Sequence, residues 1–272
     1  TAADKIDGLY SDANVSRRNG AVVDKDISYS GIKTAFANYA GHDPTGYAKN
    51  YRVDSDTLSG KGKILPRPIT ANEITNGLRF DEATKVYDGT TKVKYNGENT
   101  PDALKNYLTS ATVNVDGTPI DIKQDLTIRA DEAYTHYDTQ HVAGGAQPRV
   151  TYTLNYTGDN FDISGDLTKT ANGVITKRKV TAFAPGQLTK VYDASEKVYD
   201  PRDTSIKTYR RGTRVTDGDS IVRMSTEDGD TGLLANDGVR NISTATFDDK
   251  NVGKRKKVTY NVAVDSTHAG DY

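Results

Sequence analysis

The stretch TKVYDGTTKV, residues 84–93, runs strand-forming residues into Asp-Gly and then back into strand formers. A near copy, TKVYDASEKV, occupies residues 189–198. Tyr87-Asp88 and Tyr192-Asp193 are 105 residues apart, and other landmarks keep nearly the same spacing. KILPRPITA (63–71) matches GVITKRKVTA (173–182), with Ile64 on Ile175 and Ala71 on Ala182, both 111 apart. Asn50-Tyr51 matches Asn160-Phe161 and then Asp271-Tyr272. YDTQHV (137–142) matches FDDKNV (247–252), and also YSDANV (10–15) upstream. Landmarks that recur in one order at one spacing predict a tandem array with a period of about 110 residues.

On this reading residues 1–64 are the C-terminal part of a preceding repeat. They carry an insertion of about 17 residues within 33–49, relative to the spacing of the other landmarks. Residues 65–175 form one repeat, and 176–272 form a second that lacks its last strand. Within repeats, period-2 alternation predicts half-buried strands in RVTYTLNY (149–156) and KVTYNVAVD (257–265). TVNVDGTPIDIK (112–123) predicts a hairpin, because Asp116-Gly117 tolerates the positive φ that tight turns require. Frequent Asp-Gly and Asn-Gly pairs leave little room for long helices. A short helix is expected in TPDALKNYL (100–108), capped by Thr100 with Pro101 in its first turn.

The chain has 272 residues, 35% hydrophobic, with 36 basic and 37 acidic side chains and a net charge of −1. Thin cores are expected, and no long-range attraction for nucleic acid or anionic lipid. No apolar run is long enough to span a bilayer. The first residues, TAADKIDGLY, lack the order of a secretion signal, so a mature piece of a larger protein is expected. There are 17 tyrosines, one methionine, no tryptophan and no cysteine. This composition favours strands and turns, excludes disulfides and cysteine metal sites, and fits a large bacterial protein exported unfolded.

The segments ITKRKVTA…TKVYDASEKV, ATFDDKNVGKRKKVTYNV and HAGDY together resemble the YDG and related bacterial Ig-like (MBG) repeats of large secreted adhesins, including filamentous-haemagglutinin-like proteins of two-partner secretion. The resemblance spans nearly the whole chain. The second repeat departs from it by reading YDASE for YDGTT, and both units are long. It implies an all-β chain of tandem small Ig-like β-sandwiches forming an elongated rod at the bacterial cell surface. Its role would be that of a non-enzymatic stalk in cell adhesion or biofilm formation, with a host-cell or biofilm glycan or protein as partner. Short strands punctuated by turns are independently what a sandwich requires.

Tyr87, Asp88, Tyr192 and Asp193 are expected to be structural: the ring is buried and the carboxylate accepts backbone N–H groups at a turn. Acid-rich loops offer oxygen ligands for calcium through Asp217, Asp219, Asp228 and Asp230. Tyr39 and Tyr47, in the insertion, can stack on sugars, which gives an alternative in which this loop itself binds glycan or protein. Tyr51 is expected in a core, like its partners Phe161 and Tyr272. His42, His136, His141 and His268 lack metal-helix spacing and are expected at the surface. Lys250, Lys254, Arg255, Lys256 and Lys257 are expected to protect an edge strand, with anion binding as the alternative. Open sheet edges predict head-to-tail self-association. A polysaccharide hydrolase using paired carboxylates is the last reading, and Lys–Asn or Lys–Asp isopeptide cross-links would suit a cysteine-free rod.

Overall fold

The computed structural model describes residues 6–199, 205–215, 222–237, 240–265 and 268–272. The chain is mainly strand with few helices. It divides into two compact units: residues up to Gly77 with 111–127 and 155–167, and the remaining segments 78–110, 128–154 and 168–272.

In the first unit, strands Asp7–Tyr10, Lys25–Ser30 and Leu58–Gly62 form an antiparallel sheet with Lys25–Ser30 in the centre. The Tyr29 ring covers glycines on both neighbours. A Cβ at Gly8 or Gly60 would lie 2.7 or 2.9 Å from it, so the aromatic fills the space those glycines leave open. The Asp116-Gly117 turn forms as its sequence predicts, with φ of 51° and 88°, and pairs Val115 with Thr118. Strand Phe161–Ser164 lies parallel to Arg67–Thr70. Helix Ala71–Gly77 follows, opened by a Thr70/Glu73 capping box in which Glu73 accepts the Thr70 N–H at 2.7 Å. It ends where a Cβ on Gly77 would sit 1.8 Å from the Thr112 carbonyl oxygen. Ile69, Ile74, Val113, Ile122 and Phe161 are among the buried side chains of this unit.

Helix Ile32–His42 occupies the segment expected to be an inserted loop, which corrects that expectation. Its sequence, IKTAFANYAGH, is free of Asp-Gly and Asn-Gly breakers and contains alanines that favour helix. None of its residues is buried.

In the second unit, His136 and Tyr137 pair antiparallel with Thr151 and Val150 of the strand Arg149–Tyr156. Val150, Tyr152 and Leu154 point inward, as the alternation predicts. Tyr152 stacks on Phe80 with ring centres 4.0 Å apart. Gly173–Thr176 runs parallel to Ala83–Val86, a pairing that hairpin signals do not foretell. Thr100 caps helix Pro101–Leu104, its hydroxyl accepting the Ala103 N–H at 3.2 Å. Thr100→Ala is expected to lower stability by about 1 kcal/mol, read as a shifted urea midpoint at unchanged slope.

Further along, Lys197–Tyr199, Arg240–Phe247 and Val258–Asp265 form a sheet. Val198, Val215, Val222 and Ala245 are buried together, packed by Phe247, Val258 and Tyr260. Lys250 and Lys254–Lys257 lie in the connection between its last two strands rather than on an edge strand, which corrects the expectation for that run. Lys256 turns back to pair with Asp249, and a hydrogen bond from Asp248 N–H to the Lys257 carbonyl closes the loop.

Candidate functional site

The KVYD stretch leaves its strand in a loop held by one lysine. Lys85 Nζ donates to Asp88 Oδ1 at 2.7 Å and to the Thr90 carbonyl. Asp88 Oδ1 also accepts the Thr90 N–H at 3.1 Å, and Lys94 reaches Oδ2 at 3.0 Å. Burial opposes ionisation of Asp88, but the hydrogen bonds from Lys85 and Lys94 outweigh it and hold the carboxyl at about 2. The same bonds recur in the copy. Lys190 Nζ lies 2.6 Å from Asp193 Oδ1 and donates to the Ser195 carbonyl at 2.7 Å, and Asp193 Oδ1 accepts the Ser195 N–H at 3.0 Å.

The tyrosines between these residues differ. Tyr87 is fully buried (0% exposed), whereas Tyr192 is 60% exposed, against the expectation of a buried ring at both. Tyr87 is covered by the chain's last residues. Tyr272 meets it edge-on at 5.6 Å, and the Tyr87 hydroxyl lies 3.2 Å from His268 Nδ1. Burial, followed by contact with Asp237, pushes the Tyr87 phenol well above its usual value. Tyr272 Oη donates to Asp237 Oδ2 at 2.6 Å and accepts the Leu234 N–H at 3.1 Å. Burial and that bond to Asp237 raise its phenol to about 12.

Beside Tyr87, Asp271 gathers two histidines. Its Oδ2 accepts from His141 Nδ1 at 2.8 Å and lies 3.4 Å from His268 Nδ1, and its Oδ1 accepts the Val142 N–H at 2.7 Å. The imidazoles stack with centres 5.1 Å apart. His141 and His268, expected at the surface, thus meet through a nearly buried carboxylate. Their ligand atoms and that of Asp271 lie within 4.8 Å of one another, which makes them the set of described residues that can hold a metal ion. A hydrogen-bonding role accounts for Asp271 without one. In the first unit Asn160 makes the same bonds with no imidazole beside it: its Oδ1 accepts the Val15 N–H at 2.9 Å and its carbonyl accepts the Arg67 N–H at 3.0 Å. The Asp271 carbonyl likewise accepts the Arg178 N–H at 2.8 Å.

Arg178 is the least expected member. It sits in the charged run TKRK yet is only 2% exposed. Its guanidinium donates to the carbonyls of Gly232 (2.7 Å), Gly229 (2.6 Å), Thr231 (2.8 Å) and Tyr87 (3.3 Å). The 228–231 turn, offered by the sequence as a calcium loop through Asp228 and Asp230, therefore turns its carbonyl oxygens to a guanidinium, and both aspartates are exposed. Asp217 and Asp219 lie outside the described residues. Arg67 holds the Asp116 turn in a related way, through a two-pronged bond to the Asp116 carboxylate.

Tyr39 and Tyr47 are exposed, as a ligand-stacking role requires, and Tyr51 is 70% exposed rather than in the core. His42 Nδ1 hydrogen-bonds the Asn38 carbonyl within its own helix. His136 is half-buried on its strand. Comparison with family models, curated proteins and solved structures finds no match to this chain. No helix of the described residues is long and apolar enough to cross a membrane.

Proposed function

We propose that the chain is a non-enzymatic segment of a bacterial surface stalk, a series of Ig-like β-sandwich repeats that holds a binding region away from the cell. The observation that supports this reading is the recurrence of whole hydrogen-bond sets, not residues alone. Lys85, Asp88 and Thr90 are bonded as Lys190, Asp193 and Ser195 are. Asn160 and Asp271 make the same two bonds, one to a valine N–H and one to an arginine N–H. Each of those valines follows a turn in which a polar side chain accepts the preceding N–H: Asp12 for Asn14, Thr139 for His141, and Asp249 for Asn251 in the third such segment. A chain built by tandem duplication reproduces bonds in this way, because the same local sequence solves the same local problem. Small-angle scattering is expected to give an elongated particle, and a compact one would overturn the stalk reading.

A second reading is favoured by the insertion. Helix Ile32–His42 buries no side chain, and Tyr39 and Tyr47 stand exposed on and beside it. We propose glycan or protein as its ligand, with the tyrosine rings stacking on it. Tyr39→Ser with Tyr47→Ser is expected to lower binding on a glycan or host-cell array at least about tenfold. Unchanged binding would remove the insertion from consideration. Neither reading uses hydrolytic chemistry, and Asp88, whose carboxyl is held in its ionised form, is unsuited to act as a general acid.

A further inference from the structure

Asp271 and Asn160 make the same bonds to the main chain, but the side chains around them differ. In the first unit Asn160 Oδ1 accepts the Val15 N–H at 2.9 Å, and its Nδ2 donates to Asn14 Oδ1 at 3.0 Å. In the second unit Asp271 Oδ1 accepts the Val142 N–H at 2.7 Å, and its Oδ2 meets His141 Nδ1 at 2.8 Å. Asn14 and His141 each stand immediately before the bonded valine. A neutral amide pair therefore suffices to join two such segments. The spacing that sets Asp271 against Asn160 also sets His268 against Thr157. The second unit thus has two imidazoles and a carboxylate where the first has two amides and a hydroxyl. The backbone bonds explain Asp271 Oδ1 but leave Oδ2, its charge and the two imidazoles that face it without a structural purpose.

Those three groups suit one ion, and all belong to the second unit. His141 Nδ1 and His268 Nδ1 lie 2.8 and 3.4 Å from the same carboxylate oxygen, and one ligand atom from each residue falls within 4.8 Å of the others. Around a tetrahedral zinc, with bonds of about 2.0–2.1 Å, ligand atoms stand about 3.3 Å apart. Small side-chain rotations bring the set to that spacing. Asp271 is nearly buried and fixed by the Val142 N–H, whereas the His141 side chain is 46% exposed. The open side gives an entry path and room for a water as fourth ligand. Tyr87 backs the site, its ring centre 6.3 and 6.2 Å from those of the two histidines. Calcium and magnesium take oxygen ligands, whereas imidazole suits zinc. We propose that His141 Nδ1, His268 Nδ1 and Asp271 Oδ2 bind a zinc ion, with water completing the tetrahedron. Each imidazole then carries its proton on Nε2. The ion displaces the Tyr87 hydroxyl from His268 Nδ1, and that hydroxyl keeps its contact with Asp237. Coordinate bonds thereby clamp the 141–142 loop to a segment 130 residues further along the chain.

The test uses the full chain, free of any affinity tag and stripped with EDTA, titrated with zinc chloride in a calorimeter. Wild type is expected to bind one ion with a dissociation constant of roughly 10 µM or tighter. Zinc at about a hundredfold excess over that constant is expected to raise the thermal midpoint of the second unit by roughly 5–10 °C. Asp271→Asn copies Asn160, so it keeps the bonds to Val142 and Arg178 while removing the carboxylate. It is expected to match the metal-free wild type in circular dichroism and to bind zinc at least about tenfold more weakly. His141→Gln is expected to weaken binding to the same degree. Its side chain is the more exposed, so this variant decides the matter if Asp271→Asn fails to fold. His42→Gln, on the exposed helix of the first unit, is expected to bind as wild type does. A wild-type chain that takes up no zinc at about 1 mM overturns the proposal. So does zinc affinity unchanged in His141→Gln or in a folded Asp271→Asn, or calcium binding as tight as zinc binding. Zinc affinity and particle shape are separate measurements, so this site and the stalk reading can fail independently.

Discussion

Arg178→Ala is expected to unfold the second unit at markedly milder conditions, with a loss of about 3–4 kcal/mol. The guanidinium is almost entirely enclosed, and its donors diverge to four carbonyls on two segments. Hydrogen bonds from a charged donor contribute more than neutral ones, and truncation strands the acceptors it leaves behind. Gly232 is the most exacting partner. It has φ of +81°, and a Cβ there would lie 1.9 Å from the Thr226 carbonyl oxygen, so the backbone cannot swing out to find water cheaply. Arg178→Lys keeps the charge but presents one compact ammonium to acceptors spread around a planar fork, and it is expected to recover less than half of the loss. Urea denaturation of the three proteins measures this. A lysine variant as stable as wild type would show that charge alone, not the fork, organises the turn.

Asp88→Ala is expected to cost about 3 kcal/mol, because it leaves the enclosed Lys85 ammonium without its carboxylate, with Thr90 and the face of the Tyr137 ring beside it. Asp193→Ala removes the same bond from a more exposed carboxylate and is expected to cost about 1 kcal/mol. Acid supplies an independent readout. The Asp88 carboxyl is held at about 2, below its unfolded value of 3.8, so its contribution is complete above about pH 4 and lost as pH falls through 2. The shift corresponds to roughly 2 kcal/mol. Wild type should lose stability steeply between pH 4 and pH 2, and Asp88→Ala should lose correspondingly less over that window. Parallel pH profiles for the two proteins would show that another carboxylate controls acid unfolding.

Local chemistry was legible in the sequence where one short stretch settles its own conformation. Asp116-Gly117 specifies a tight turn, Thr100-Pro101 starts a helix, and the alternation from Arg149 to Tyr156 marks a strand. The Thr70/Glu73 capping box is equally local and marks the start of helix Ala71–Gly77, whose end is the Asn-Gly pair at 76–77. Residues fixed by distant partners were not legible. His141 meets Asp271 across 130 residues, and Tyr87 meets His268 across 181. No periodicity encodes such meetings. Arg178 was hidden by its neighbours: flanked by Lys177 and Lys179 it reads as part of a solvated charge run, and only the carbonyl-rich turn brought to it shows why this one residue is enclosed. Tyr51 was placed in a core by analogy with Phe161 and Tyr272, yet lies in the open. Matching sequence positions carry the ability to make a contact, whereas the contact itself needs a receptor.

The bonds from Val142 to Asp271 and from Val15 to Asn160 have a mechanical meaning. Each joins points 129 or 145 residues apart along the chain. A force applied across either pair is borne first by a few hydrogen bonds and the rings beside them, while the intervening polypeptide remains slack. Release of the Val142–Asp271 bond and full unravelling behind it would free about 440 Å of contour length, at roughly 3.4 Å per residue. For the stalk proposed above, such hidden length would turn a sudden tug into gradual extension.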